Sequence, residues 1–283
     1  MDKIFTADIP KSDRIQKLID DLYSGTPTIE STRAEIITDS YRSTEGQSIY
    51  LRKAKAFRAL AERLPVVIRN DELIVGCNSV ARRGCQTFPE FSNKWLEDEI
   101  DTIATRNADP FYLSEETGKK LKEIHKYWQG KTTSELAYAY MAPETRTAIE
   151  HNIFTVGNYF YNGIGHVSVD YGKVLKIGFK GIADYAKAER DKCRVYDSDY
   201  TTRYYFLTGI IESCEAAIIF AKRYSAAARE LANKCSDISR RNELNTIADI
   251  CAHVPENGAR SFHEACQAFW FVQLLIQTES NGH

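Results

Sequence analysis

Apolar and polar positions along the chain alternate mostly at helical spacing, in stretches separated by short polar breaks. Between residues 31 and 63, Ile36, Ile37, Tyr41, Ile49, Leu51, Ala54, Phe57 and Leu60 are spaced for helix, interrupted at Glu45-Gly46. Two helices with a turn or kink are expected there, ended by Pro65. The clearest helix is expected from Phe206 to Leu231, where Leu207, Ile210, Ile211, Cys214, Ala217, Ile218, Ala221, Ala228 and Leu231 repeat at three and four. Thr132 with Glu135 has the capping-box spacing for a short helix reaching Met141. Ser261 with Glu264 caps another, with Phe262, Ala265, Cys266, Phe269, Trp270 and Gln273 on one side. Val66-Val67-Ile68 and Leu73-Ile74-Val75-Gly76 read as extended, and 76–92 as a long loop. No repeat, low-complexity tract or linker composition divides the chain, so one helical body is expected.

Two segments depart from this pattern. Residues 153–171, I-F-T-V-G-N-Y-F-Y-N-G-I-G-H-V-S-V-D-Y, mix glycines and asparagines with aromatics, and no helix favours that composition. Val167 to Tyr171 could form at most a short strand. The second is Q-T-E-S-N-G-H at 277–283, which reads as a helix end followed by the start of a loop that continues.

Composition narrows the function classes. The 283 residues are 43% hydrophobic and 27% charged, with 37 basic and 39 acidic side chains, as in an ordinary globular protein. A formal charge of −2 offers no electrostatic footprint for nucleic acid or an anionic membrane. No uninterrupted apolar run is long enough to span a bilayer, and the first ten residues do not read as a secretory signal. The seven cysteines form no C-x-x-C and no zinc-binding spacing. Cys214, Cys251 and Cys266 sit among apolar helical residues, where a thiol acts as a small hydrophobe. A reducing cytoplasm and no bound metal are expected.

Local chemistry alone leaves the function open. His166 follows Gly163-Ile164-Gly165 and could exchange a proton near neutral pH, but a buried structural histidine fits the same composition. Asn158 reads first as a turn residue and Ser280 as a loop hydroxyl. The G-I-G of 163–165 lacks the strand and third glycine of a dinucleotide fingerprint. H-E-x-x-H, G-x-S-x-G and phosphate-loop patterns are absent from the sequence.

Longer segments carry a resemblance. T-E-G-Q-S-I-Y-L-R-K-A-K-A at 44–56, I-R-N-D-E-L-I-V-G at 68–76, F-P-E-F-S-N-K-W-L-E-D-E-I-D at 88–101 and G-K-T-T-S-E-L-A at 130–137 resemble the N-terminal part of glycyl radical enzymes, the pyruvate formate-lyase superfamily. F-T-V-G-N-Y-F-Y-N-G-I-G-H-V-S-V-D-Y-G-K-V-L at 154–175, I-E-S-C-E-A-A-I at 211–218, and S-F-H-E-A-C-Q-A-F-W-F at 261–271 followed by E-S-N-G-H are similar to its B12-independent glycerol dehydratase branch. The similarity runs from about Glu30 to His283.

That resemblance implies an α/β, helix-rich fold, with residues 1–283 as the N-terminal portion of a ten-stranded β/α barrel. In the family, one finger loop carries a cysteine that becomes a thiyl radical and another carries the glycine that stores the radical. Neither the G-C-V-E-type nor the R-V-x-G-Y-type motif occurs in these 283 residues, and no cysteine here matches the radical carrier. The chain therefore reads as the first third of such an enzyme, inactive alone. Asn158, His166 and Ser280 fall on the positions that line the diol pocket. His166 is implied as proton donor to the departing hydroxyl, with Asn158 and Ser280 as substrate-binding residues. Choline lyases of the superfamily carry tyrosine and aspartate at the first two positions, which suit a cation, whereas a neutral set suits vicinal hydroxyls.

The resemblance further implies a glycyl radical installed by a radical S-adenosylmethionine activating enzyme, no B12, and a homodimer in the full-length form. The expected substrate is glycerol or propane-1,2-diol and the product an aldehyde. Two alternatives stay open: another C–O or C–N lyase of the superfamily, and a non-catalytic helical protein that binds a partner.

Overall fold

A computed structural model describes residues 12–157, 160–161 and 167–280. Helices dominate the described residues. After α1 (Asp13–Ser24) come β1 (Thr28–Glu30), α2 (Thr32–Ser43), α3 (Ile49–Arg63) and β2 (Gly84–Gln86). The expected break at Glu45-Gly46 is where α2 and α3 separate. Strands β1 and β2 pair in parallel, Thr28 opposite Gly84 and Glu30 opposite Gln86. A further parallel bridge ties Thr28 to Tyr112. The two helices between β1 and β2 supply the crossover that parallel strands require. Strand β2 lies inside the segment 76–92 that reads as loop, because three residues starting with a glycine carry no visible alternation.

The segment between α3 and β2 joins no strand ladder: residues 65–69 are irregular, 70–71 turn, and Leu73-Ile74, expected to be extended, bend. Its backbone groups are met by side chains instead. Gln267 accepts from the Val75 N–H at 2.8 Å and donates to the Val75 carbonyl at 2.7 Å, doing for one residue what a neighbouring strand would do. Trp270 donates its indole N–H to the Gly76 carbonyl at 2.9 Å, and the Cys77 N–H donates to the Tyr224 hydroxyl at 3.0 Å.

Four helices follow: α4 (Lys94–Glu99), α5 (Glu115–Trp128), α6 (Thr133–Tyr140) and α7 (Pro143–Glu150). The capping box of α6 forms as its sequence specifies, Thr132 taking the Glu135 N–H while the Glu135 carboxylate reaches back to the Thr132 N–H. Val167 to Tyr171 form no strand. Asp170 instead caps α8 (Tyr171–Arg190), its carboxylate accepting from the Lys173 N–H at 3.0 Å.

The long helix α9 (Tyr200–Lys234) exceeds the expected 206–231 at both ends and packs against α3, α8 and α10 (Ile238–His253). Its 35 residues span about 50 Å, and by length and composition alone it could cross a membrane. Ala216, Ala217, Phe220, Ala221, Tyr224 and Ala228 of this helix are all buried in a core shared with α10 and α11 (Phe262–Glu279). The many alanines let neighbouring backbones approach closely while Phe220 and Tyr224 fill the space between. A second core joins β1, α2, α3, α4 and α5 around Ile37, Leu60, Leu96 and Leu121.

In α11 the side named by the sequence is not the one that meets the core. The buried positions are Glu264, Gln267, Ala268, Phe271, Val272, Leu274, Leu275 and Thr278. Phe262 is 85% exposed and Phe269 46% exposed. Both faces of the helix are apolar, so periodicity alone could not choose between them.

Candidate functional site

A cavity of about 700 Å³ opens between α3, α9, α11 and residues 167–169. Its wall is mostly apolar, with Phe57, Phe91, Phe206 and Val272 among the contributors, and its polar members include Lys53, Ser213, Glu279 and Ser280. Ser280 thus lies on the wall of this cavity, buried at 7% exposure. The chain leaves α11 there in extended conformation while the Ser280 N–H still donates to the Ile276 carbonyl at 3.0 Å. Val167, the residue after His166 in the sequence, lines the same cavity. Asn158 and His166 themselves lie outside the described residues.

The end of α11 is built by charges from two other helices. Arg33 of α2, 1% exposed, donates through Nε to the Thr278 carbonyl at 2.7 Å. Its Nη1 reaches the Thr87 carbonyl and Glu90, each at 3.1 Å, and its Nη2 pairs with the other Glu90 oxygen. The guanidinium also lies 3.7 Å from the centre of the Phe88 ring. Lys53 of α3 pairs with Glu279 at 2.9 Å. Burial pushes the Glu90 carboxyl up, but the Arg33 guanidinium and the Lys53 ammonium outweigh it and hold it below the usual range. Burial likewise opposes the charge on Lys53, and the carboxylates of Glu279 and Glu90 reverse that, raising its value.

No sequence motif pointed to this arrangement. Arg33 and Glu90 are 57 residues apart, and an isolated arginine on an amphipathic helix reads as a solvated charge. Lys53, Glu90 and Glu279 fall inside segments that carry the family resemblance, but nothing in those segments marks them as charges that meet.

The cysteines behave as the composition suggests. Cys214 lines the cavity as an apolar group, its thiol pushed up to about 11 by burial, and Cys251 is pushed up to about 12 for the same reason. Such thiols are poor ionic nucleophiles. Among the described residues, no group of three or more His, Cys, Asp or Glu could hold a metal ion.

Comparison with known proteins gives the chain its relatives. It is 55% identical, with a TM-score of 0.94, to a structure solved for 1,2-propanediol dehydration in Roseburia inulinivorans, over 96% of this chain and 33% of that one. The glycerol-bound B12-independent glycerol dehydratase of Clostridium butyricum is 51% identical with a TM-score of 0.93, over 96% and 35%. The (2S)-3-sulfopropanediol dehydratase of Klebsiella oxytoca is 32% identical over 260 residues, 90% of this chain and 32% of that protein. The chain thus spans about a third of the length of the relatives it matches. A model of the pyruvate formate lyase-like family matches residues 7–283, in agreement with the helix-rich fold and the motifs quoted from the sequence. The chain belongs to the pyruvate formate lyase-like family.

Proposed function

We propose that this chain forms the N-terminal part of a glycyl radical diol dehydratase that removes water from propane-1,2-diol or glycerol and yields an aldehyde. The observation that carries the reading is identity above one half, across 96% of the chain, to two solved structures of diol dehydration. In this reading the enzyme needs no B12, works as a cytoplasmic homodimer, and receives its radical from a radical S-adenosylmethionine activating enzyme. The radical, on a part of the polypeptide outside this chain, supplies hydrogen abstraction from the diol.

The residues of this chain hold the diol and move a proton. A hydroxyl leaves carbon poorly as hydroxide and well as water, so the departing group needs a donor. His166 is assigned that role. Asn158 and Ser280 orient the two hydroxyls, since a fixed reacting geometry supplies much of the rate. The apolar wall between α3, α9 and α11 forms one side of the diol site, and once the rest of the full-length enzyme covers it, polar contacts at Ser280 gain strength from the excluded water.

The test is anaerobic activation of the full-length enzyme, followed by assay for propionaldehyde and 3-hydroxypropionaldehyde. Aldehyde formation from either diol supports the reading, and an activated enzyme that cleaves neither diol overturns it. In that enzyme His166→Ala should lower kcat by about 10²–10⁴ per mole of radical, with a smaller change in KM. An unchanged activity per radical, with a lower melting temperature, would assign His166 a structural role instead.

A further inference from the structure

We infer that Tyr171 and Gln273 are positioning residues, a mount that holds the start of α8 and with it the residues 167–169 beside the cavity. The inference rests on the proposed role of His166, which precedes Val167 in the sequence. Helix α11 is apolar on two faces, and the face turned to the core leaves Phe269 and Gln273 outside it. Tyr171 meets them there. Its hydroxyl donates to Gln273 Oε1 at 2.7 Å, and its ring centre lies 4.5 Å from that of Phe269.

Helix α8 does not hold its own beginning. The break at Gly178 separates residues 171–177 from the longer part, so the far half of the helix cannot fix the direction of the near half. Residues 171–177 need attachments of their own. At one end the Leu175 carbonyl accepts from the Ala259 N–H at 2.9 Å, and Val174 is buried. A short helix held at one end pivots, and a second attachment stops it. Tyr171 supplies that attachment, at the end that leads to the cavity.

The connection from there is short and bonded. The Tyr171 N–H donates to the Val169 carbonyl at 2.8 Å, and Asp170 accepts from the Lys173 N–H at 3.0 Å. Val167 and Val169 line the cavity, yet Val167 is 53% exposed, so its own packing does little to place it. Its position is set from the start of α8. A displacement of about 1 Å in a reacting group can cost on the order of 10² in rate, so an anchor this close in sequence to the proton donor bears on turnover.

The experiment uses the full-length, activated enzyme. It reads kcat per mole of radical and KM for propane-1,2-diol, amide hydrogen exchange over residues 167–177, and the melting temperature. Tyr171→Phe removes the donor and keeps the ring, and Gln273→Met removes the acceptor. Each should lower kcat by about 3- to 10-fold, as for one neutral hydrogen bond, change KM less, and speed exchange over 167–177. The double variant should lose no more than either single one, because both remove the same bond. Gln273→Glu, which keeps an acceptor, should stay within about 2-fold of wild type. Added to His166→Ala, Tyr171→Phe should cost nothing further. If Gln273→Met fails to fold, Tyr171→Phe decides the question, since it changes no volume in the core.

Unchanged kcat in the mount variants, beside an impaired His166→Ala enzyme, would overturn the inference and leave His166 as proton donor. A lower melting temperature with unchanged kcat per radical would do the same, marking the contact as structural only. So would losses that multiply with His166→Ala, or exchange over 167–177 that keeps its wild-type rate. A His166→Ala enzyme of unchanged activity would remove the role of His166, and the function of the mount with it.

Discussion

Single side chains in this protein do backbone work. Gln267, 1% exposed, satisfies both polar groups of Val75, and no strand is available to replace it. Gln267→Leu keeps the size of the side chain but leaves a buried N–H and a buried carbonyl unpaired. The expected cost is about 2–4 kcal/mol, read as a drop in melting temperature of roughly 5–15 °C. A loss under about 1 kcal/mol would mean that Val75 finds other partners. His125 of α5 gives a pH signature. It is 3% exposed, and burial lowers its value from 6.5 to about 4. The unfolded chain takes up a proton below about pH 6.5, while the folded chain resists until about 4. Stability from this group is therefore complete above pH 6.5 and lost as pH falls through that window, by roughly 2–3 kcal/mol. Unfolding at a series of pH values should show a shallower loss between pH 6.5 and 4.5 in His125→Phe than in wild type. Equal slopes would mean that His125 is already charged in the fold.

Helices α8 and α10 are joined by an interlock that the sequence does not advertise. Helix α8 breaks at Gly178, where φ is 66°, and the loop after α10 enters the gap. There the Phe179 N–H donates to the Pro255 carbonyl, the Lys180 N–H to Glu256 and the Ala259 N–H to Leu175. A Cβ at position 178 would sit 2.1 Å from the Glu256 carbonyl oxygen, and one at 258 would sit 2.4 Å from the Lys176 oxygen. Gly178→Ala combines left-handed strain with a backbone clash and should cost more than about 3 kcal/mol in a thermal melt. Gly172→Ala, with its nearest atom at 3.7 Å in the first turn of the same helix, should be neutral or mildly stabilising. Similar losses at the two positions would count against the interlock. The contrast explains what periodicity could read. Helices α2, α3, α6 and α9 have one polar and one apolar face, or a local cap, so their existence is written in neighbouring residues. The kink in α8, the strand β2 and the buried face of α11 are decided by residues tens of positions away, and local pattern carries no signal for them.

At the scale of the molecule, the cavity brings one residue that the family motifs mark, Ser280, to charges that no local pattern announces. Ser280 was named from the sequence and lies on the cavity wall, whereas Arg33, Lys53 and Glu90 became visible only when the fold brought α2, α3 and the end of α11 together. That cavity wall is apolar across three helices and carries no cysteine suited to hydrogen abstraction. Cys214, the cysteine that lines it, matches no radical-bearing motif. The 283 residues also contain neither a G-C-V-E-type nor an R-V-x-G-Y-type segment. Abstraction from a diol needs a radical source, and the roles proposed for residues of this chain are only to hold the substrate and donate a proton. The chain expressed by itself should therefore yield no aldehyde from glycerol or propane-1,2-diol after anaerobic treatment with an activating enzyme and S-adenosylmethionine. Electron paramagnetic resonance should show no glycyl signal in it. Its open apolar wall should bind a hydrophobic dye, a response that the full-length enzyme would suppress by covering that surface. Diol-dependent aldehyde from the isolated chain would overturn this division of labour and would require a radical carrier among the seven cysteines already placed.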